Sequence, residues 1–199
     1  DDPEAYFQAK KWAGNNDAGG QAITLDGDTD LQPDFVWVKS HDEAHSHVLY
    51  DSVRTSPAKY FVKSDANIAE RTAVIGSFDS DGVTWADSDG FYNGSDNYVG
   101  WFWKESATAG FDIVAMTGTG SARTQAHSLS AVPHVVMVKN RDAADAWSVY
   151  HHANTSAPET DYLVLNTTAA TADAADRWND TAPTSSVFSL GDGDEVNTN

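Results

Sequence analysis

Pro33-Asp34-Phe35-Val36-Trp37-Val38-Lys39-Ser40 returns 100 residues further on as Pro133-His134-Val135-Val136-Met137-Val138-Lys139-Asn140. Each copy holds a short run of β-branched and aromatic residues with no polar side, which suits a strand covered on both faces. The match spreads outward from this stretch. Tyr6-Phe7 through Gln21-Ala22-Ile23-Thr24-Leu25 lies over Gly110-Phe111 through Gln125-Ala126-His127-Ser128-Leu129 at an offset of 104. After a four-residue gap the offset becomes 100 and holds through Asp42 on Asp142, Ala44 on Ala144 and Tyr50 on Tyr150. Lys59-Tyr60-Phe61-Val62 then matches Asp161-Tyr162-Leu163-Val164. Self-similarity over this span reads as a tandem duplication, with repeats near 6–105 and 110–199 and domains drawn at 1–107 and 108–199.

Both copies read as all-β. Apolar stretches fall at 34–39, 46–50, 59–63, 82–86 and 97–103, and again at 111–117, 134–139, 147–151, 161–165 and 186–190. They are bounded by turn residues, with Asp-Gly at 26–27, 81–82, 89–90 and 192–193 and Asn-Gly at 93–94. Two sheets packed as a sandwich, once per repeat, account for this pattern. A short helix is expected only within 167–178, with 65–71 as its counterpart. The second copy stops near the position equivalent to Ser95, before any match to Tyr98-Val99-Gly100-Trp101-Phe102-Trp103-Lys104. Its last core strand is therefore expected from a longer polypeptide, the preferred reading, or from a neighbouring chain.

Thirty acidic residues, 24 of them Asp, stand against 12 Lys and Arg, for a formal charge of −18. Such a surface repels phosphate and anionic lipid, so nucleic acid and membrane are not expected partners. No apolar run reaches the length of a membrane span, and the polar start is no signal peptide. The chain is expected to be soluble. The Asp excess fits a protein working in concentrated salt; it equally fits a β-rich chain using Asp at turns. With no cysteine, disulfides, thiol catalysis and Cys-based metal sites are excluded.

Motifs add little chemistry. Asp42-Glu43-Ala44-His45 spells an acidic helicase box, but no G-x-x-x-x-G-K-[ST] loop accompanies it. His41, His45 and His47 have metal-ligand character, yet Arg141, Asp145 and Trp147 stand at the equivalent positions, so a polar loop is expected there and at His151-His152. Asp79-Ser80-Asp81-Gly82 and Asp87-Ser88-Asp89-Gly90 resemble the start of calcium loops. Both lack the bidentate acid that completes one; Asp79, Asp81, Asp87 and Asp89 are the weak metal candidates, with calcium the only cofactor considered and paired β-turns the simpler account. No G-x-S-x-G elbow occurs, and no catalytic residue is assigned. Trp12, Trp85 and Trp147 lie next to turns, which makes them the weak candidates for gripping a glycan, with core or interface packing the preferred reading for each. Sequons stand at Asn93, Asn154, Asn166 and Asn179.

Phe7 with the Gly14-Asn15 turn, Pro33 through Lys39, Ser46-His47-Val48-Leu49-Tyr50-Asp51-Ser52-Val53-Arg54, Ser77 through Gly82, Tyr98 through Lys104, Thr117-Gly118-Thr119-Gly120 and Thr181 through Ser189 together resemble a duplicated domain of unknown function. That domain is frequent in virion proteins of tailed viruses from marine and saline settings, often tail-fibre or lectin-like structural proteins. The resemblance covers nearly the whole chain, departs from the family at the early stop, and brings no catalytic residues. It implies two tandem β-sandwich repeats of lectin-like or jelly-roll-like form, located in a virion. It implies a non-enzymatic module of a tail fibre or capsid spike that contacts other virion proteins and a host surface glycan or glycoprotein, with a homo-oligomer, a trimer by expectation. The rivals are a virion connector that binds only virion subunits, and a carbohydrate-active enzyme or cellular adhesin on the same sandwich.

Overall fold

The computed structural model describes residues 2–54, 60–65, 67–72 and 75–198. Lys59, in the expected strand 59–63, and Ala66, in the expected segment 65–71, lie outside the described residues. Strand makes up 35% of the structure against 6% helix, so the fold is all-β. The chain packs as two compact units, Asp1–Ser64 with Glu70–Ile113 and Asp65–Ala69 with Val114–Asn199. Among the described residues no helix is long and apolar enough to cross a membrane.

The first unit contains β1 (Phe7–Ala13), β2 (Gln21–Thr24), β3 (Phe35–Ser40), β4 (Val48–Asp51), β5 (Tyr60–Lys63), β6 (Arg71–Thr72), β7 (Ile75–Asp79), β8 (Gly82–Trp85) and β9 (Asn97–Trp103). These form a six-stranded sheet ordered β1-β9-β3-β4-β5-β6 and a three-stranded sheet ordered β2-β8-β7. Every pairing is antiparallel. Val36, Val38, Tyr50, Tyr98 and Phe102 from the larger sheet share one core with Ile23, Ile75, Val83 and Trp85 from the smaller, which is sandwich-like packing. Each such side chain, removed from water, contributes roughly 1.5–3 kcal/mol. The expected turn at Asp81-Gly82 closes the β7–β8 hairpin, with Gly82 at φ +114°, where a side chain would be strained. Asp79 supports that hairpin by accepting from the Thr84 hydroxyl at 2.7 Å.

The second unit contains β10 (Arg123–Ala126), β11 (Val135–Val138), β12 (Ser148–His151), β13 (Asp161–Val164), β14 (Ala172–Asp173), α1 (Ala175–Trp178), β15 (Val187–Leu190) and α2 (Asp194–Asn197). Its sheets are ordered β11-β12-β13-β14 and β10-β15. Val138, Tyr150, Trp178, Phe188, Leu190 and Val196 make the core. The short helix expected within 167–178 is α1, confined to its end because 172–173 pair with β13 and Asn179 turns left-handed at φ 52°. The strand expected over 111–117 does not form. In the first unit β1 ladders only with β9, and among the described residues of the second unit no strand takes the place of β9.

Several local arrangements occur in both units. Val36 pairs with Tyr50 and Trp37 with Leu49, as Val136 pairs with Tyr150 and Met137 with Val149. Lys39 Nζ donates to the carbonyls of Ser40 (2.5 Å) and Glu43 (2.7 Å), and Lys139 Nζ to those of Asn140 (2.5 Å) and Ala143 (3.0 Å). Asn93, fully buried, accepts from the Asn15 N–H at 3.2 Å and donates to the Asp87 carbonyl at 3.0 Å. Asn197, equally buried, accepts from the Thr119 N–H at 3.0 Å and donates to the Gly191 carbonyl at 2.8 Å. The sequon asparagine at 93 is therefore an interior strut.

Candidate functional site

The three tryptophans singled out from the sequence are buried. Trp12 is 8% exposed, donates its indole N–H to the Tyr92 carbonyl at 3.0 Å, and stacks on Tyr98. Trp85 is wholly buried between Tyr50 and Tyr92, and Trp147 is 6% exposed in the second unit. Their neighbouring turns suggested exposure, but strand phase decides it. Trp12 and Trp85 fall on inward positions of β1 and β8, where their large apolar area is removed from water.

The acidic candidates serve local structure. Asp79 accepts from Ser77 and Thr84, Asp81 from the Leu31 N–H, Asp87 from the Tyr92 hydroxyl, and Asp89 from the Phe91 N–H. The histidines diverge. His41 leans on Asp42, His45 packs edge-on to Phe91, and His47 accepts from the Trp37 indole N–H at 2.8 Å. Among the described residues no group of three or more His, Asp or Glu is placed to hold a metal ion. Paired imidazoles do occur elsewhere: His134 stacks on His152 at 4.1 Å, with His151 alongside.

The outward face of the six-stranded sheet carries the aromatic surface that the sequence reading placed elsewhere. Across β1, β9 and β3, outward residues align in rows: Phe7–Trp103–Phe35, then Ala9–Trp101–Trp37, then Lys11–Val99–Lys39. Phe7 is 40% exposed, and Phe35, Trp37, Trp101 and Trp103 are half-buried. Trp103 lies 4.9 Å from Phe7 and 5.5 Å from Phe35 by ring centroid, and Phe111 stacks on it at 6.0 Å. The middle row, where Ala9 flanks Trp101, presents indoles beside a small side chain. The signal was available in the alternation of Asn97-Tyr98-Val99-Gly100-Trp101-Phe102-Trp103, whose inward set is Tyr98, Gly100 and Phe102.

At the basic end of these rows lies a cleft of about 430 Å³ lined by Lys11, Trp12, Ala13, His41, Asp42 and Asn97. Asn97 directs both its backbone and its side-chain N–H at Asp42 Oδ2, each at 2.7 Å, while His41 Nδ1 is 3.1 Å from Oδ1. These bonds, the Asn97 backbone N–H foremost, hold the Asp42 carboxyl down to about 2. Asp42 is thus a fixed, ionised acceptor, with an ammonium from Lys11 in the same cleft. Aromatic faces for C–H stacking together with a fixed carboxylate, an amide and an ammonium for hydroxyls form a set of groups that can hold a sugar.

Two other polar clusters pair within themselves, although in the second the Arg177 Nε is buried without a hydrogen-bond partner among the described residues. Glu105 shares a hydrogen bond with Asp112 beside Asp34, and burial, then Asp112, push its carboxyl up to about 7. In the second unit a cleft of about 440 Å³ gathers Asp145, Asp176, Asp192, Asp194 and Glu195 around Arg177. That guanidinium is already paired with Asp176 at 2.7 Å and Glu195 at 2.8 Å and lies over the Tyr162 ring.

No curated protein and no solved structure matches the chain. One family model does, described as a domain of unknown function, DUF7483, and it matches residues 2–199. Because that match runs along the chain from end to end, the protein belongs to the DUF7483 family.

Proposed function

We propose that this chain is a non-enzymatic attachment module of a virion, in a tail fibre or capsid spike, that contacts a host surface glycan or glycoprotein. The observation that carries the reading is the outward aromatic face of β1, β9 and β3 with the Asp42–Asn97 cleft at its end. Stacking rings and fixed polar groups bind sugars weakly one at a time; a homo-oligomer with other virion subunits would raise that to useful avidity. We also read the two units as copies of one ancestral sandwich. The matching strand pairings, the Lys39 and Lys139 clamps and the Asn93 and Asn197 struts support this.

A connector that binds only virion subunits is the second reading, favoured by the exposure of Val132, Val135 and Met137 in the second unit. A glycan array probed with the purified chain separates the two. Binding to a defined glycan set without sugar release is expected. Trp101→Ala or Trp37→Ala should weaken it about tenfold, the order of one lost stacking contact. Binding confined to virion subunits favours the connector, and release of sugar overturns the non-enzymatic reading.

A further inference from the structure

Acids outnumber Lys and Arg 30 to 12 in this chain, yet they are missing from the face that carries the outward indoles. The outward positions of β1, β9 and β3 include two lysines, Lys11 and Lys39, and no Asp or Glu. Both lysines stand in one row, on either side of Val99. The row of Trp101 and Trp37 lies two residues along the strands, about 7 Å away at the rise of a β-strand. Lys39 has one N–H of three left, because Nζ already donates to the Ser40 and Glu43 carbonyls. Lys11 is exposed, and among the described residues no acid pairs with its ammonium. Other cations differ: Lys10, its neighbour on β1, pairs with Asp26 at 2.7 Å, and Arg177 holds both Asp176 and Glu195. Asp42 is the acid of the adjoining cleft, but its Oδ2 takes both Asn97 N–H groups and its Oδ1 faces His41. The strip beside the indoles is thus positive while the chain as a whole is negative, the complementarity that selects an anion.

We propose that the sugar this face takes is an acidic one, a ring bearing a carboxylate or a sulfate, stacked on Trp101 and Trp37 with its anionic group on the Lys11 ammonium. This rests on the reading of the face as a glycan site. The remaining N–H of Lys39 faces the same group from the other end of the row, and hydroxyls of an adjoining sugar meet Asn97 and Asp42 beyond Lys11. Acids elsewhere on the chain oppose such a ligand only at range. Those beyond ~8 Å are largely screened in about 0.15 M salt, so the cation in contact outweighs the net −18. A nucleic acid gains nothing from this strip, because a long polyanion spreads its charges over the acidic surface around it.

The test titrates the full chain with matched acidic and neutral sugars in about 0.15 M sodium chloride, followed by tryptophan fluorescence. The probes are trigalacturonate against its methyl ester, and sialyllactose and sulfated lactose against lactose. At least one acid is expected to bind about fivefold tighter than its neutral counterpart, the order of one exposed ion pair, and the pair that shows it identifies the anion. Lys11→Gln should bring that ratio to about one, while Lys11→Arg should keep it, since only the second retains the charge. Circular dichroism of both variants checks that the fold is unchanged. A preference for acid that survives in Lys11→Gln overturns the inference, and so does the absence of any preference. In the second case a glycan array separates the two readings: binding to neutral glycans keeps the glycan site and removes only its acidic ligand, whereas a blank array removes both.

Discussion

Asn93 and Asn197 each place a primary amide where two chain segments meet in the interior. Removing either amide strands a buried N–H and a buried carbonyl, a loss of about 2 kcal/mol. Asn93→Ala and Asn197→Ala should each lower the urea midpoint by a corresponding amount; a midpoint unchanged in either variant would mean that water replaces the amide. Glu105 supplies a pH test. Its carboxyl titrates near 7 in the folded chain, above the ordinary carboxylate value of 4.5, so the folded state holds its proton more tightly than the unfolded one. That contribution is complete below about pH 4.5 and disappears as pH rises through 7. Glu105→Gln should therefore flatten the fall in thermal stability between pH 5 and pH 8, measured by calorimetry.

At the level of strands, the apolar runs Phe35-Val36-Trp37-Val38 and Tyr98 through Trp103 announced β3 and β9 because both faces of those strands are apolar. β1 was hidden by the inward placement of Gln8 and Lys10. The Gln8 amide is buried because it donates to the Glu4 and Thr29 carbonyls and accepts from the Gly27 N–H. A polar residue satisfied by loop backbone erases the alternation that marks a strand. The burial of Trp12 and Trp85 follows a related rule: nearness to a turn says nothing about phase, and a strand turns alternate side chains to opposite faces. The sequence alignment set Gln21 on Gln125, whereas the side chain that reaches back to the preceding segment's carbonyl is Gln21 to Ala13 in one unit and Arg123 to Thr117 in the other. A slip of two residues keeps every side chain on its face, so hydrophobic pattern could not reveal it. Gly14 and Gly118 test the element-level likeness. A methyl group on Gly14 would meet the Gly94 carbonyl oxygen at 2.1 Å, and one on Gly118 the Thr198 oxygen at 1.7 Å. Gly14→Ala and Gly118→Ala should each cost about 1–3 kcal/mol in chemical denaturation; tolerance of either would show that the backbone yields there.

For the molecule as a whole, charge is the dominant unexplained quantity. Asp17 accepts from the Gly19 N–H, Asp89 from the Phe91 N–H and Asp51 from the Arg54 N–H, so part of the Asp excess is turn chemistry. A net −18 nonetheless repels itself, and the range of that repulsion falls from ~10 Å in 0.1 M salt to ~3 Å in 1 M. The thermal midpoint should climb as sodium chloride is raised through that range. A flat or falling midpoint would leave turn chemistry as the sole reason for the composition.

The burial of Asn93 has a consequence for where this protein can be made. In a eukaryotic secretory pathway the glycosylation enzyme meets the nascent chain before the sandwich closes, and Asn93-Gly94-Ser95 offers it a substrate. A glycan attached there has no room in an interior that leaves Asn93 at 0% exposure. The race between modification and closure would then divide the product into a native, unmodified pool and a trapped one.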